Sequence, residues 1–438
     1  MSLTLEQYGK SLVAAGLMTA DELRAWFSKL PADRRPRDAE TLAKLLADDG
    51  KVTNYQNAVL QQGKPQALTF ANYLLVEQLG SGASGHVFKG KHKTSGRLAA
   101  IKVLAAETAA DPKALKRFQR EVEAAGRLAH KNIVQSFDAG EWNGQHYLVM
   151  DYVDGCDMAS LVKSGGPLKV ETACGYIVQA AQGLRYAHEQ GVVHRDIKPG
   201  NLLLDKNGAV RILDLGLVRF SDSGDGLTAT QQVMGTVDYM SPEQAADTKR
   251  ADARCDIYSL GATLWYFLMG KKLYEAKGVV ERIMLHRSAP IPSLCEARPE
   301  VPRWVDDVFR KMVAKRVDDR FQTMADVIRA FETQGASLAD GDGSTVAEVE
   351  EISEKSMMAL SAADKAQLAR TAPIVATSGG GEFALDLSAG GGKSRGVAKS
   401  RSTEPAVKSG KQALPWLWIA AGSAGALIVA VVIWMLMG

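Results

Sequence analysis

Cysteine is scarce. The four present, Cys156, Cys174, Cys255 and Cys295, are scattered along 438 residues, with no CxxC pair and no histidine at ligand spacing. That excludes a disulfide framework and a structural zinc site, and it suits reduced thiols in a cytosolic compartment. An excess of one charge is missing too. With 53 basic and 50 acidic residues the formal net charge is +3, too even to argue for nucleic acid. The N-terminal "MSLTLEQYGK" has no basic stretch leading into an apolar core, so no signal peptide is expected. Apolar residues make up 46% and charged residues 24%, which supports a packed core, and the length implies more than one domain.

The one long apolar run lies at residues 414–438, "LPWLWIAAGSAGALIVAVVIWMLMG", which carries no charge. As a helix, residues 414–437 would extend about 36 Å, enough for a hydrocarbon core of roughly 30 Å. Trp416, Trp418 and Trp434 lie near its ends, where indole rings favour the interface. Lys393, Arg395, Lys399, Arg401, Lys408 and Lys411 precede it, and the positive-inside rule keeps that flank in the cytoplasm. The expectation is a single-pass tail anchor in a bacterial inner membrane, with the rest of the chain cytoplasmic.

Residues 1–66 read as a small helical domain. "LVAAGLMT" and "LADDGKVT" match in their Leu, Gly and Thr positions, and each Thr opens a capping box, Thr19 with Glu22 and Thr53 with Gln56. A helix is expected to end at each Gly and a new one to begin after each Thr. The tetratricopeptide pattern is absent, and a docking domain with an unknown partner stands level with a plain helical appendage. "QQGKPQ" reads as the linker out of this domain. From residue 70 the texture changes to "NYLLVEQLG", "GHVFKGKH" and "RLAAIKVL", three strand-like segments broken by glycine turns. After residue 111 the pattern is mostly helical to about 333, so a β-rich lobe followed by a helical one is expected. Residues 335–413 are rich in Gly, Ser and Ala and read as a flexible juxtamembrane linker.

Chemistry concentrates in a few stretches. "LGSGASGHVFKG" spaces Gly80, Gly82 and Gly85 as GxGxxG. A dinucleotide turn shares that spacing but runs straight into a helix, whereas here strand texture lies on both sides and Val87 follows. A strand–glycine–strand hairpin lets backbone N–H groups approach phosphates closely. In "AAIKVL", Lys102 sits in an otherwise apolar strand, either on the solvent face of an edge strand or buried with an acidic mate. The following helix offers Glu121 as that mate, and Glu123 falls on another, solvated face. "HRDIKPGNLLL" then crowds Asp196, Lys198 and Asn201 ahead of a strand. It is either a polar surface turn or a loop bringing a base, a phosphate clamp and a metal ligand to one centre.

"GSGASG", "AIK", the helix acid, "HRDIKPGN", "DLG" and "GTVDYMSPE" occur in one order over residues 70–331, and in that order the chain resembles the protein kinase superfamily, specifically the eukaryotic-like (Hanks-type) serine/threonine kinases of bacteria. The resemblance implies an α+β bilobal protein kinase fold over 70–334, with a β-rich N-lobe and a helical C-lobe. To this the chain adds the small helical N-terminal domain and one C-terminal transmembrane helix. It implies an enzyme that transfers the ATP γ-phosphate to Ser/Thr hydroxyls of protein substrates, with Mg²⁺ or Mn²⁺. The glycines and Val87 would cover the nucleotide, and Lys102, held by Glu121, would bind its phosphates. Asp196 would accept the hydroxyl proton and Lys198 would steady the γ-phosphate. Asn201 and Asp214 would hold the metal. "YLVMDYVDGCDM" resembles the hinge, with backbone bonds to adenine from Asp151 and Val153, Met150 as gate and Asp157 toward the ribose. Glu243 with Arg320 resembles the family's buried ion pair, and Asp256 would support the catalytic loop.

Two positions depart from the family pattern: Leu215 in "DLG", and Ser84 at the tip of the glycine loop. Arg195 before Asp196 resembles kinases switched on by activation-segment phosphorylation, here at Thr228 and Thr230, with Ser221 and Ser223 behind them and Thr236 framing the acceptor. Trans-autophosphorylation in a homodimer on the membrane is the expected route. A catalytically dead scaffold is disfavoured because no catalytic position is missing. A small-molecule kinase is disfavoured because "GTVDYMSPEQ" resembles a peptide-docking segment.

Overall fold

The computed structural model describes residues 3–82, 85–105, 126–214, 237–247 and 251–339, together with 109, 115, 116, 118, 119, 122 and 123. Ser84, Glu121, Leu215, Ser221, Ser223, Thr228, Thr230, Thr236 and the expected span at 414–437 lie outside them. Among the described residues no helix is long and apolar enough to cross a membrane.

The first elements are α1 (Leu5–Ala14), α2 (Ala20–Lys29), α3 (Ala39–Asp48) and α4 (Asn54–Gln61). Both expected capping boxes form: the Thr19 and Thr53 hydroxyls accept the N–H groups of Glu22 and Gln56, whose side chains accept from the threonine N–H groups in return. Gly16 and Gly50 stand just past α1 and α3 with φ of 72° and 65°, a left-handed conformation that glycine adopts without a Cβ penalty. Tyr8, Leu12, Leu42, Leu46 and Leu60 form the core of these helices. The stretch read as a linker is not loose. Pro65–Leu68 winds into a 3₁₀ turn, and Leu68 is fully buried in the same core, a burial worth about 1.5–3 kcal/mol. The apolar side chain after the proline outweighs the polar composition around it.

A six-stranded antiparallel sheet follows, in the order β1-β2-β3-β4-β6-β5, from β1 (Thr69–Phe70), β2 (Tyr73–Gly82), β3 (Gly85–His92), β4 (Leu98–Leu104), β5 (Ser136–Trp142) and β6 (Gln145–Asp151). The three strand-like segments of the sequence are β2, β3 and β4. The pair β5–β6 falls where the sequence pattern was read as helical. A smaller sheet, β7 (Gly155–Asp157), β8 (Leu202–Asp205) and β9 (Val210–Ile212), lies beyond it.

The helical lobe is built from α5 (Met158–Gly165), α6 (Val170–Glu189), α7 (Pro242–Ala246), α8 (Arg254–Met269), α9 (Val279–Ser288), α10 (Leu294–Ala297), α11 (Arg303–Met312) and α12 (Met324–Ala339). Helix α8, "RCDIYSLGATLWYFLM", is apolar on nearly every face and accordingly lies at the centre, packed against α6 and α11. Its position fixes Asp256, in its first turn, beneath the loop that carries Asp196.

Candidate active site

The glycine stretch forms a hairpin between antiparallel strands, with Gly82 opposite Gly85. No helix follows it, which excludes the dinucleotide reading. Gly85 has φ of 131°, and a Cβ there would fall 1.9 Å from the Val103 carbonyl oxygen, so the backbone approaches β4 as only glycine permits. Lys102 lies on β4 between β3 and β6, opposite Val87 and Leu148. It is 9% exposed, which removes the edge-strand reading. Its Nζ donates to Asp214 Oδ1 at 2.9 Å. A buried ammonium needs such a mate, and one carboxylate expected at the metal supplies it. Glu123 is exposed, as expected.

The loop after α6 is held from below. Asp256 is fully buried and accepts the N–H groups of His194 (2.9 Å) and Arg195 (2.7 Å), while the His188 ring nitrogen lies 2.8 Å from Oδ2. Burial pushes its carboxyl upward, but the hydrogen bond and charge of His188 and the His194 N–H outweigh this and hold it below the usual range. The His194 ring fastens the loop again. Its Nδ1 accepts from Asp196 N–H at 3.2 Å, so Nε2 carries the proton given to the Leu213 carbonyl at 2.8 Å. Gln244 donates to the Arg195 carbonyl. Arg195 and Asp214 take φ of 64° and 43°, left-handed values that this network holds in place.

On that frame Asp196 is 7% exposed, and Lys198 Nζ lies 3.0 and 3.2 Å from its two oxygens. Asn201 donates its amide to the Asp196 carbonyl at 2.7 Å and to its carboxylate at 3.0 Å. This turns the Asn201 side-chain oxygen away from Asp196, leaving a hard oxygen donor in the same cleft as the Asp214 carboxylate. The residue types suit a Mg²⁺ that takes one or two protein ligands and completes its shell with water and phosphate.

Above the loop, Val87, Ala100, Met150 and Val153 join Leu203 and Leu213 in one apolar cluster. Val87 and Ala100 come from the large sheet and Leu203 from the small one, so a flat apolar ligand between them would meet aliphatic carbon on both faces. The Asp151 N–H is already given to the Gln135 carbonyl at 2.9 Å, which leaves its carbonyl as the group Asp151 can offer. Asp157 caps α5 through Ser160, accepting from its N–H at 2.9 Å and its hydroxyl at 2.6 Å, so any ribose contact would share a carboxylate already in use.

A protein kinase domain model matches residues 73–330. The chain belongs to the protein kinase family. It is 36% identical over 313 residues to serine/threonine-protein kinase PknF of Mycobacterium tuberculosis, across 70% of this chain and 64% of that one. It is 38% identical over 280 residues to serine/threonine-protein kinase PknB of Mycolicibacterium smegmatis, across 62% and 44%. The crystal structure of the M. tuberculosis PknI kinase domain is similar at 31% identity and a TM-score of 0.48, covering 61% of this chain and 97% of that one. The relatives are eukaryotic-like kinases of bacteria, and the chain spans less than two thirds of the length of these curated relatives.

Within this kinase domain the expected pair of Glu243 and Arg320 is bidentate, with both contacts at 2.7 Å. Three features were missed from sequence. His188 has no motif to mark it. Ala100 and Leu203 look like ordinary strand residues. Asp238, buried within the segment expected to dock peptides, is held by Lys272 at 2.7 Å and Arg282 at 2.8 Å. Its place inside "GTVDY" was the available signal.

Proposed function

We propose that this chain transfers the γ-phosphate of ATP to Ser and Thr hydroxyls of proteins. The convergence of Asp196, Lys198 and Asn201 in one part-buried cluster, with the Leu213 N–H given to the Asn201 carbonyl next to Asp214 of the Lys102–Asp214 pair, carries the reading. Asp196, fixed through Asp256 and His194, would orient the acceptor hydroxyl and accept its proton. Lys198 would follow the γ-phosphate as the hydroxyl displaces it, and Lys102 would exchange part of its contact with Asp214 for the α- and β-phosphates. Asn201 and Asp214 would hold Mg²⁺ or Mn²⁺, which supplies charge neutralisation between the phosphates. The glycine hairpin at Gly80, Gly82 and Gly85 would exclude water from above, and the Val87–Ala100–Leu203 slot would take the adenine. Incubation with radiolabelled ATP, Mg²⁺ and a basic protein acceptor tests this. Label must enter Ser or Thr with the parent and not with Asp196→Asn, and equal labelling by both sinks the reading.

Regulation and placement belong to the same proposal. Arg195 gives Nη2 to the Ala251 carbonyl at 3.1 Å, while its buried Nε has no hydrogen-bond partner among the described residues. A phosphate on Thr228 or Thr230 would supply one, with about −1.5 to −2 charges. The apolar run and its basic flank support residues 414–437 as a span in a bacterial inner membrane with the kinase domain cytoplasmic, and copies held on one surface would phosphorylate each other in trans. An active enzyme unmodified at both threonines after incubation with Mg-ATP would exclude this route.

A further inference from the structure

Helix α4 does more than close the N-terminal domain. Strand β2 pairs with β1 only through Tyr73 and Leu74, so from Leu75 onward its outer edge has no neighbouring strand among the described residues. The register with β3 skips Val76, then Leu79, which makes two irregularities just before the glycine loop. At the first, two consecutive carbonyls turn to the same helix. Thr53 Oγ1 donates to Val76 O at 2.5 Å, and Gln56 Nε2 donates to Leu75 O at 2.8 Å. A regular strand would send successive carbonyls to opposite sides, so α4 engages a bulge. The Tyr55 ring meets Phe88 of β3 at 6.1 Å, which grips the second strand of the same hairpin. Asn57 ties α4 back to its own domain, donating to the Ala43 carbonyl at 2.9 Å and accepting from the Tyr8 hydroxyl.

The two capping boxes show that this contact is built in. In the first, Glu22 only accepts, and it is exposed. In the second, the same position is Gln56, which accepts from Thr53 N–H through Oε1 and donates to Leu75 O through Nε2. A glutamate cannot do both, because an ionised carboxylate has no N–H. Gln56 is 4% exposed, so its amide is matched to the strand edge and not to water.

We infer that Thr53, Tyr55 and Gln56 are positioning residues, and that the N-terminal helical domain sets the height of the glycine hairpin over the nucleotide by pinning the bulge at which that hairpin would bend. The inference rests on the kinase reading above. It is tested on the full chain with Gln56→Glu, Tyr55→Ala and Tyr55→Phe. Gln56→Glu keeps the cap, as Glu22 shows, but removes the donor and sets a carboxylate against a carbonyl oxygen. Gln56→Glu and Tyr55→Ala should each raise the KM for ATP, and the Kd for a fluorescent ATP analogue, about five- to tenfold, the size of one lost contact. Their kcat and acceptor KM should stay within about twofold, and Tyr55→Phe should restore the parent values. ATP affinity unchanged in both variants overturns the inference. So does a loss spread equally over kcat and both KM values that tracks a lower melting temperature, since a structural role alone would produce it. A parent that binds the analogue and transfers nothing overturns the kinase reading, while the Gln56 effect on binding still decides the inference. A parent that neither binds nor transfers overturns both.

Discussion

Two regions of this molecule hold carboxylates against cations, and they do so differently. Below the catalytic loop Arg320 and Asp256 have every polar group placed. Arg320, 2% exposed, gives Nε to Ala314 O, Nη1 to Glu243 and Arg254 O, and Nη2 to Glu243 and Lys315 O, which places all five of its N–H groups. Asp256 accepts two backbone N–H groups and faces His188, with no exposed surface. In the cleft, Lys102 meets one Asp214 oxygen while that carboxylate keeps 40% of its side chain exposed, and Lys198 straddles Asp196 from a half-open position. A saturated network holds a shape. A network with exposed oxygens can trade partners when a charged ligand arrives. The two should therefore fail in different observables.

The largest effect expected is on rate and in the cleft. Asp196→Asn should lower phosphate transfer about 10²- to 10⁴-fold, the usual worth of a general base, and leave the melting temperature near that of the parent. A large drop in stability would mean that Asp196 belongs with the saturated network, and the contrast would be lost. Arg320→Ala is the converse. It leaves Glu243 part-buried beside the emptied site and strips five hydrogen bonds from the lobe, and should cost about 3 kcal/mol, which is roughly 10 °C in melting temperature for a domain of this size. Activity measured well below that midpoint should keep the KM for ATP. A changed KM with an unchanged midpoint would place Arg320 in the catalytic apparatus.

The saturated side also forbids new charge, and pH reads this out. His286 is buried and takes Tyr258 OH at 2.8 Å on Nδ1. Burial first, then the nearby Lys315 and Arg282 charges, push its pKa from 6.5 down to about 3, only partly offset by the Asp238 backbone; the Tyr274 ring also packs on it. The unfolded chain therefore takes up the proton first as pH falls. The stability this group contributes is fully present above pH 6.5 and is lost as pH falls from there toward 3. Between pH 7 and 5 the loss is about 2 kcal/mol. His286→Gln should flatten the fall in unfolding free energy over that interval by this amount. Equal slopes in both proteins would mean that the folded lobe accepts the charge.

How much of this was legible depended on whether a residue's role is local. The glycine hairpin was readable because strand texture flanks the glycines on both sides. The burial of Lys102 was readable from its apolar neighbours, although the partner now seen is Asp214 and Glu121 lies outside the described residues. The β5–β6 hairpin was overlooked although its turn is Asn143-Gly144, with φ of 49° and 77°, one of the strongest short hairpin signals a sequence carries. The helical texture after it masked the signal. The partners of Asp238 were out of reach although its motif was in view: they are Lys272 and Arg282 of α9, and no spacing rule links this acid to a helix formed later in the chain. Gln56 was read correctly as half of a capping box, yet its second hydrogen bond crosses to another domain and leaves no periodic trace.

That pair of caps gives the smallest and sharpest version of the contrast. Thr19 and Thr53 hold the same place in the same motif, one exposed and one facing a strand edge. Thr19→Ala removes a helix cap and should cost about 1 kcal/mol. Thr53→Ala removes the cap and also strands the Val76 carbonyl at a part-buried bulge, so it should cost about 2 kcal/mol. The difference, about 1 kcal/mol or 2–4 °C in melting temperature, measures the buried strand contact against the exposed bond from the Thr19 hydroxyl to Glu22, because the backbone capping is shared by the two variants. Thr53→Ser keeps the hydroxyl and should return most of that difference. If the two alanine variants melt together, the second cap is no more than a cap, and the helical domain rests on the sheet through apolar packing around Tyr55 and Leu68 instead.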